Sequence, residues 1–495
     1  MIVLSSRRLA ALALFGAAAV LLLMAIRVVS AVSLAEPLHV VTSGWEQESL
    51  YALWKFIHDG TVYADPYRVP FAASVYNWLF YEVYGGIIDL ALRALALDEA
   101  WIPTLARLIT LAATLAGTIW AYGAMVRDDR DPAFKALALA FAIFVFWGPL
   151  IGFWAATARP DVAAMALEVL AVFLFLRLWP MRPTAAVLAV AAALYAAWSM
   201  KQINVFAAIA VGLFLLHRRA VRPLVLFCVV LGGAVLATLG LGTPGYRTAL
   251  FEAARAGFAL EPMLRNVANF AVKSAPTLIP LVGLAIAALR STEFRNAWLA
   301  DDRSRLGLMG FVASLLLALP ASAKIGASES YYFTLSFFAA LATAGGLAEA
   351  MRSEPTNIFV RRFAAAGWAL NIAAVALVVL GLQGVTTVRP QQARYLDVRR
   401  CVAELPTPIF VDDLYGSLPW INPQGPHFIV SFNYVLDRES GRRFENDGIG
   451  GMIGRGEFAA LLLRGRPAQF DRGPIAPRYA ESAQCGDFVA YRRRD

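Results

Sequence analysis

Two carboxylates stand just past the first long apolar stretch, in Gly44-Trp45-Glu46-Gln47-Glu48-Ser49-Leu50-Tyr51, where a hydrophobic segment gives way to an amphipathic one. Charge at such a point is costly and marks candidate chemistry. An ionised carboxylate can take a proton from a nucleophile or pair with a cation. Three cations occupy comparable places, each at the end of an apolar segment inside a compact polar cluster. They are Arg159 in Ala158-Arg159-Pro160-Asp161, Lys201 in Met200-Lys201-Gln202, and Lys324 in the run that ends Glu329-Ser330-Tyr331-Tyr332. Arg27 and Arg107 lie inside apolar segments, each toward the same end. One reading is that these charges snorkel to headgroups or pair structurally. Their concentration in motif-like loops favours a common site instead.

The elements that must position them follow from composition. With 59% hydrophobic and 16% charged residues and a mean hydropathy of +0.60, the chain is suited to lipid. Apolar stretches of span length fall near residues 9–34, 101–126, 134–153, 161–179, 183–200, 203–217, 221–241, 271–290, 305–323, 331–351 and 363–385. The first is too long for a signal-peptide core and reads as a retained span. The expected fold is therefore an α-helical polytopic membrane protein with about 11 transmembrane helices, covering residues 1–385, followed by a small soluble α/β domain, 386–495.

Charge orients the spans. Alternate loops hold Arg7, Arg8, Arg127, Arg130, Lys135, Arg177, Arg182, Arg218, Arg219, Arg222, Arg290, Arg295, Arg303, Arg305, Arg352, Arg361 and Arg362, whereas the short opposite loops hold only Arg159, Lys201 and Lys324. By the positive-inside rule the N-terminus is cytoplasmic, and the cation cluster, the long first loop (35–100) and the C-terminal domain are extracytoplasmic. The net charge of +9 thus reports membrane orientation and implies no nucleic-acid partner.

The first outer loop carries two amphipathic stretches, Glu48–Ile57 and Ser74–Leu92, separated by turn chemistry at Asp59-Gly60 and Asp65-Pro66. Tyr76, Trp78, Phe80, Tyr81 and Tyr84 suit a helix lying in the interface with its rings at headgroup depth. In the last 110 or so residues, strands are expected at Pro408–Val411, Phe428–Val430 and Phe488–Tyr491, a helix at Phe458–Leu463, and a plain flexible loop at Gly448–Gly454. Cys401 and Cys485, both on the oxidising face, are expected to form a disulfide, with Cys228 buried in a span. His39, His58, His217 and His427 are scattered and read as incidental.

The order of these elements resembles the polytopic glycosyltransferases of the GT-C superfamily, related to protein O-mannosyltransferases and to lipid A aminoarabinose or galacturonic acid transferases. The resemblance rests on Gly44, Glu46 and Tyr51; Gly60 and Tyr63; Tyr76-Asn77-Trp78-Leu79-Phe80-Tyr81; Arg159-Pro160-Asp161; Lys201-Gln202; and Lys324, Gly326 and Tyr331-Tyr332. Gln47 between the two glutamates and Ser330 before the tyrosines depart from the commoner pattern. The resemblance implies a sugar transferred from a polyprenyl-phosphate carrier to a glycan, lipid or protein acceptor at the outer face of a bacterial inner membrane. In that scheme Glu46 is the general base, and Glu48, two residues on, points elsewhere. Asp161 orients the acceptor or helps to hold a metal. Arg159, Lys201 and Lys324 meet the lipid phosphate, with Glu48, Gln202, Tyr331 and Tyr76 also at the substrate. A divalent ion is compatible with the carboxylates, although no His or Cys cluster demands one and no cofactor is required. From another class, a transporter or flippase of lipid-linked sugars accounts for the same spans and cations, but no internal repeat is visible.

Overall fold

A computed structural model of the chain describes residues 5–38, 45–71, 74–126, 129, 131–252, 257–352, 354–381, 383–412, 418–422, 432–464, 475 and 477–494. The first helix, α1 (Ser6–Ala31), is capped by the Ser5 hydroxyl. Two helices occupy the first loop, α2 (Trp45–Asp59) and α3 (Trp78–Leu95), the latter capped by Asn77. Then come α4 (Ile102–Val126), α5 (Pro132–Trp147), α6 (Asp161–Leu178), α7 (Pro183–Met200), α8 (Phe206–His217) and α9 (Val221–Leu241). A short α10 (Pro244–Phe251) leads to α11 (Leu260–Lys273), which is bent by 83° from α12 (Ala275–Arg290). The helical part closes with α13 (Thr292–Ala300), α14 (Asp302–Ala321), α15 (Phe333–Ala350), α16 (Glu354–Leu380) and α17 (Gln383–Glu404).

Among the described residues, seven helices are long and apolar enough to cross a membrane, and the bent pair makes an eighth. The protein is thus a multi-pass membrane protein. Helices also fill the remaining predicted segments, but α5 and α8 are short, and α6 carries Asp161, Glu168 and Arg177. The predicted span 363–385 is displaced: α16 begins at Glu354, and the chain leaves the helix after Leu380 before α17 starts.

Burial sorts the helices by position. The central helix α15 is buried from Phe333 to Ala348, whereas α9 buries only Phe227 along its length. Cys228 on α9 is therefore exposed on the outer wall, not buried as expected, because a peripheral span turns most of its residues to lipid. Close approach of α14 to α15 depends on small residues: a Cβ at Gly307 would lie 2.6 Å from the Ala342 backbone nitrogen, and one at Gly310 would lie 2.4 Å from Phe338.

The C-terminal part is a four-stranded sheet of order β1-β2-β4-β3, built from β1 (Ile409–Val411), β2 (Ala460–Arg464), β3 (Tyr479–Cys485) and β4 (Phe488–Arg493), with α18 (Phe432–Glu439) and α19 (Gly448–Arg455). β1 and β2 are parallel, and the other pairs are antiparallel. The predicted helix at Phe458–Leu463 is instead the central strand β2. A short run such as Ala460-Leu461-Leu462-Leu463, buried on both faces, has no periodicity to distinguish strand from helix. The predicted loop at Gly448–Gly454 is the helix α19, held by burial of Ile449, Met452 and Ile453. The predicted strand Phe428–Val430 lies outside the described residues, as do His39, His427 and Gly44. Cys401 of α17 and Cys485 of β3 form the expected disulfide, with a Cα–Cα distance of 6.1 Å.

This sheet packs on the first loop. Trp420 Nε1 donates to the Ala35 carbonyl at 3.1 Å, Gln391 Nε2 to that of Pro37, and the Glu445 amide to that of Tyr67 at 2.9 Å. Phe71 inserts among Tyr434, Ile449 and Phe458. The predicted headgroup belt is therefore largely internal: Tyr76, Phe80, Tyr81 and Tyr84 are buried inside the protein, because the domain and the neighbouring helices cover the face that would have met lipid.

Candidate active site

The ends of α6, α7, α10 and α14, with the segments between them, enclose a cavity of about 360 Å³. Arg159, Lys201 and Lys324 all line it, as do Tyr76, Gln202 and Tyr331. Three loops far apart in sequence thus bring their cations to one end of the bundle. The opposite end holds the Arg218–Asp302 pair, the 3.5 Å Arg352–Asp129 pair and Arg303, which donates to the Met125 carbonyl at 2.7 Å.

Arg159 is held rigidly. Its Nε donates to Asp161 Oδ2 at 3.0 Å, and its guanidinium lies 4.0 Å from the Trp154 ring centroid and 5.7 Å from that of Tyr76. The other oxygen of Asp161 accepts from Lys201 Nζ, whose ammonium faces the Tyr331 ring at 5.8 Å. Asp161 therefore orients two cations, and with both oxygens engaged by cations it is poorly placed to hold a metal. Among the described residues no group of three or more His, Cys, Asp or Glu side chains is gathered to hold one.

Around the cavity, three buried polar atoms have no partner among the described residues: Arg159 Nη1, Tyr76 Oη and Gln202 Oε1. Native proteins seldom leave such groups unpaired, and here all three belong to residues that line the same space. Gln202 is fixed through its other end, Nε2 donating to the Val75 carbonyl at 2.9 Å. Lys324 sits on a short antiparallel pairing in which the Ile325 amide donates to Gly257 and the Ala259 amide to Ala323, both at 2.8 Å. Burial pushes the Lys324 amine below the ordinary lysine range, an effect that the negative charge of Asp437 on α18 opposes.

The two glutamates of the opening motif part company. Glu46 is fully buried, with Oε1 accepting from Arg107 Nε at 3.1 Å and from the Ala158 amide at 2.7 Å, and Oε2 accepting from Arg107 Nη2 at 3.1 Å and from the Leu38 amide. Arg107 also binds the carbonyls of Ala31 at 3.0 Å and Glu36 at 2.7 Å. Glu46 is not among the residues that line the cavity, and its two oxygens are taken up by four donors. Glu48 is also buried and off the cavity wall, but on the other side of α2; burial first, and the charge of Glu48 to a smaller extent, oppose ionisation of the Tyr76 and Tyr81 hydroxyls.

Sequence reasoning missed Glu168, a carboxylate two turns into α6 and fully buried. It accepts from Asn204 Nδ2 at 3.0 Å, from the Ala207 amide at 2.9 Å and from Thr334 Oγ1 at 2.6 Å. It thereby caps α8 and fixes the segment that carries Lys201 and Gln202. An acidic residue inside a span was the available signal. Ser328 and Ser330, on the cavity wall, carried no such signal.

No protein-family model and no curated protein sequence matches the chain. Solved structures do. ArnT from Cupriavidus metallidurans in the apo state superposes with a TM-score of 0.55 at 12% identity, over 90% of this chain and 92% of that one. ArnT from the same organism bound to undecaprenyl phosphate gives 0.57 at 14% identity, over 96% and 97%. The chain thus shares the polytopic helical fold of these structures, with a small C-terminal sheet, and seven or eight of the about 11 expected spans are long and apolar enough to cross a membrane among the described residues.

Proposed function

We propose that this protein transfers a sugar from a polyprenyl-phosphate carrier to an acceptor hydroxyl or amine at the outer face of the membrane. The observation that carries this reading is the cavity with three cations and three unpartnered buried polar atoms, on a fold shared with a protein bound to undecaprenyl phosphate. An apolar groove supports it. Ile209 and Leu213 of α8 and Val312, Leu316 and Leu317 of α14 line a second space of about 540 Å³; the end of α14 borders the cavity, and α8 follows the Lys201-Gln202-Ile203 segment of its wall. A lipid phosphate in the cavity can run its isoprenoid tail down this groove into the bilayer. The Cys401–Cys485 disulfide fits an oxidising compartment for this end of the molecule.

In the reaction, the acceptor atom bonds to the anomeric carbon as the bond from that carbon to the phosphate oxygen breaks. The electron pair leaves with the lipid phosphate, whose charge Arg159, Lys201 and Lys324 stabilise in a low-dielectric setting. A carboxylate takes the acceptor proton. We assign this role to Glu48, which like Glu46 lies off the cavity wall and would act through the Tyr76 hydroxyl that lines it, and we give Glu46, both of whose oxygens are taken up by Arg107 and backbone amides, a positioning role. Asp161 holds Arg159 and Lys201 in place.

The bent α11–α12 pair is the kind of broken helix that transporters use. Here, however, its break stands at the cavity end, where Lys273 pairs with Glu329, and not at mid-depth. The deciding experiment measures sugar transfer from a labelled polyprenyl-phosphate donor alongside binding of undecaprenyl phosphate. Arg159→Gln and Lys201→Met are expected to weaken binding, whereas Glu48→Gln abolishes transfer with binding intact. Transfer retained in Glu48→Gln removes the assigned base, and binding unaffected in both cation variants removes the site.

A further inference from the structure

We propose that the groove between the end of α1 and the start of α17 binds an anionic phospholipid of the surrounding bilayer. Ile26, Val29 and Ser30 on α1 and Val388, Arg389 and Gln392 on α17 line a space of about 520 Å³, made of elements other than those of the active-site cavity. Its α1 wall is mainly apolar. The guanidinium of Arg389 stands over it, exposed and, among the described residues, without a hydrogen-bond or ion-pair partner. Other arginines of α17 are engaged: Arg394 meets Asp487 at 3.4 Å, and Arg400 meets Asp397 at 2.8 Å.

Height and shape identify the occupant. Val29 and Ser30 lie in the last turn of a span that ends at Ala31, so Arg389 stands where lipid headgroups begin. Below it runs an exposed apolar strip, with Leu22 and Val29 seven residues apart on α1, and Leu377 and Leu380 at the end of α16. α16 packs directly on α1, since Gly16 faces Trp368. An unpartnered cation above exposed apolar residues matches a phosphodiester headgroup above acyl chains. The donor phosphate has its own cations elsewhere, so this groove is independent of the transfer reaction.

The test uses the full chain reconstituted in nanodiscs of mixed phosphatidylcholine and phosphatidylglycerol, then extracted and examined by native mass spectrometry for retained lipid. Wild type is expected to retain phosphatidylglycerol in preference to phosphatidylcholine, and Arg389→Gln to retain about fivefold less of it, the effect of one headgroup-level cation. Arg394→Gln, on the same helix, should retain as much as wild type. Val29→Trp, which fills the apolar wall without altering charge, should also lose the lipid and serves if Arg389→Gln does not fold. Equal retention in wild type and Arg389→Gln, no preference between the two lipids, or full retention in Val29→Trp overturns the proposal.

Discussion

At the residue scale, the Glu46–Arg107 pair shows how burial changes what a charge can do. Both side chains are wholly enclosed, and each is satisfied by the other and by backbone groups of the 31–38 turn and of Ala158. Breaking such a pair leaves one buried charge uncompensated. Arg107→Met is expected to cost about 3 to 5 kcal/mol, and the double variant Glu46→Gln/Arg107→Met to recover part of that loss. Thermal unfolding in detergent provides the check, and strictly additive losses would refute the coupling. Lys324 supplies a pH test. Its amine is charged below its pKa, and burial lowers that pKa, so the charge is lost at a lower pH than for an ordinary lysine. Binding of undecaprenyl phosphate should therefore weaken as pH rises, and at a lower pH than an ordinary lysine would give. Lys324→Arg, which keeps its charge, should move the decline to higher pH; an unchanged profile would exclude Lys324 from the phosphate.

At the element scale, a short helix that begins inside the protein needs its first amides satisfied. For α8, Glu168 does this from across the bundle and also collects Asn204 and Thr334. Glu168→Ala orphans buried donors, each at a cost of about 1 to 3 kcal/mol. The expected result is a lower unfolding temperature together with weakened donor binding, because the Lys201-Gln202 segment loses its anchor. Loss of stability with unchanged binding would make Glu168 structural only. Helix positions were legible in the sequence because apolar length is a strong signal. Three of the local departures were not legible. Ala460–Leu463 is buried on both faces, Gly448–Gly454 is helical through packing of Ile449 and Met452, and Cys228 faces outward because α9 is peripheral. Each depends on neighbours distant in the chain.

At the scale of the whole molecule, the C-terminal sheet and the first loop form one body beside the cavity. The disulfide joins α17 to β3, and the same body holds Ala35 and Pro37, next to the turn gripped by Arg107. Reduction, or Cys401→Ser, is expected to destabilise this part by about 2 to 4 kcal/mol. Unfolding followed with and without reductant checks this, and equal midpoints would show that the crosslink contributes nothing. By itself the sequence determined the spans, the segregation of cations between alternate loops and the pairing of two cysteines, since hydropathy, charge and cysteine count are local properties. Only the tertiary structure decided which partners each carboxylate meets. Glu46 meets its cation 61 residues away and Asp161 meets Lys201 at a separation of 40, and the direction in which a buried side chain points is set by such partners.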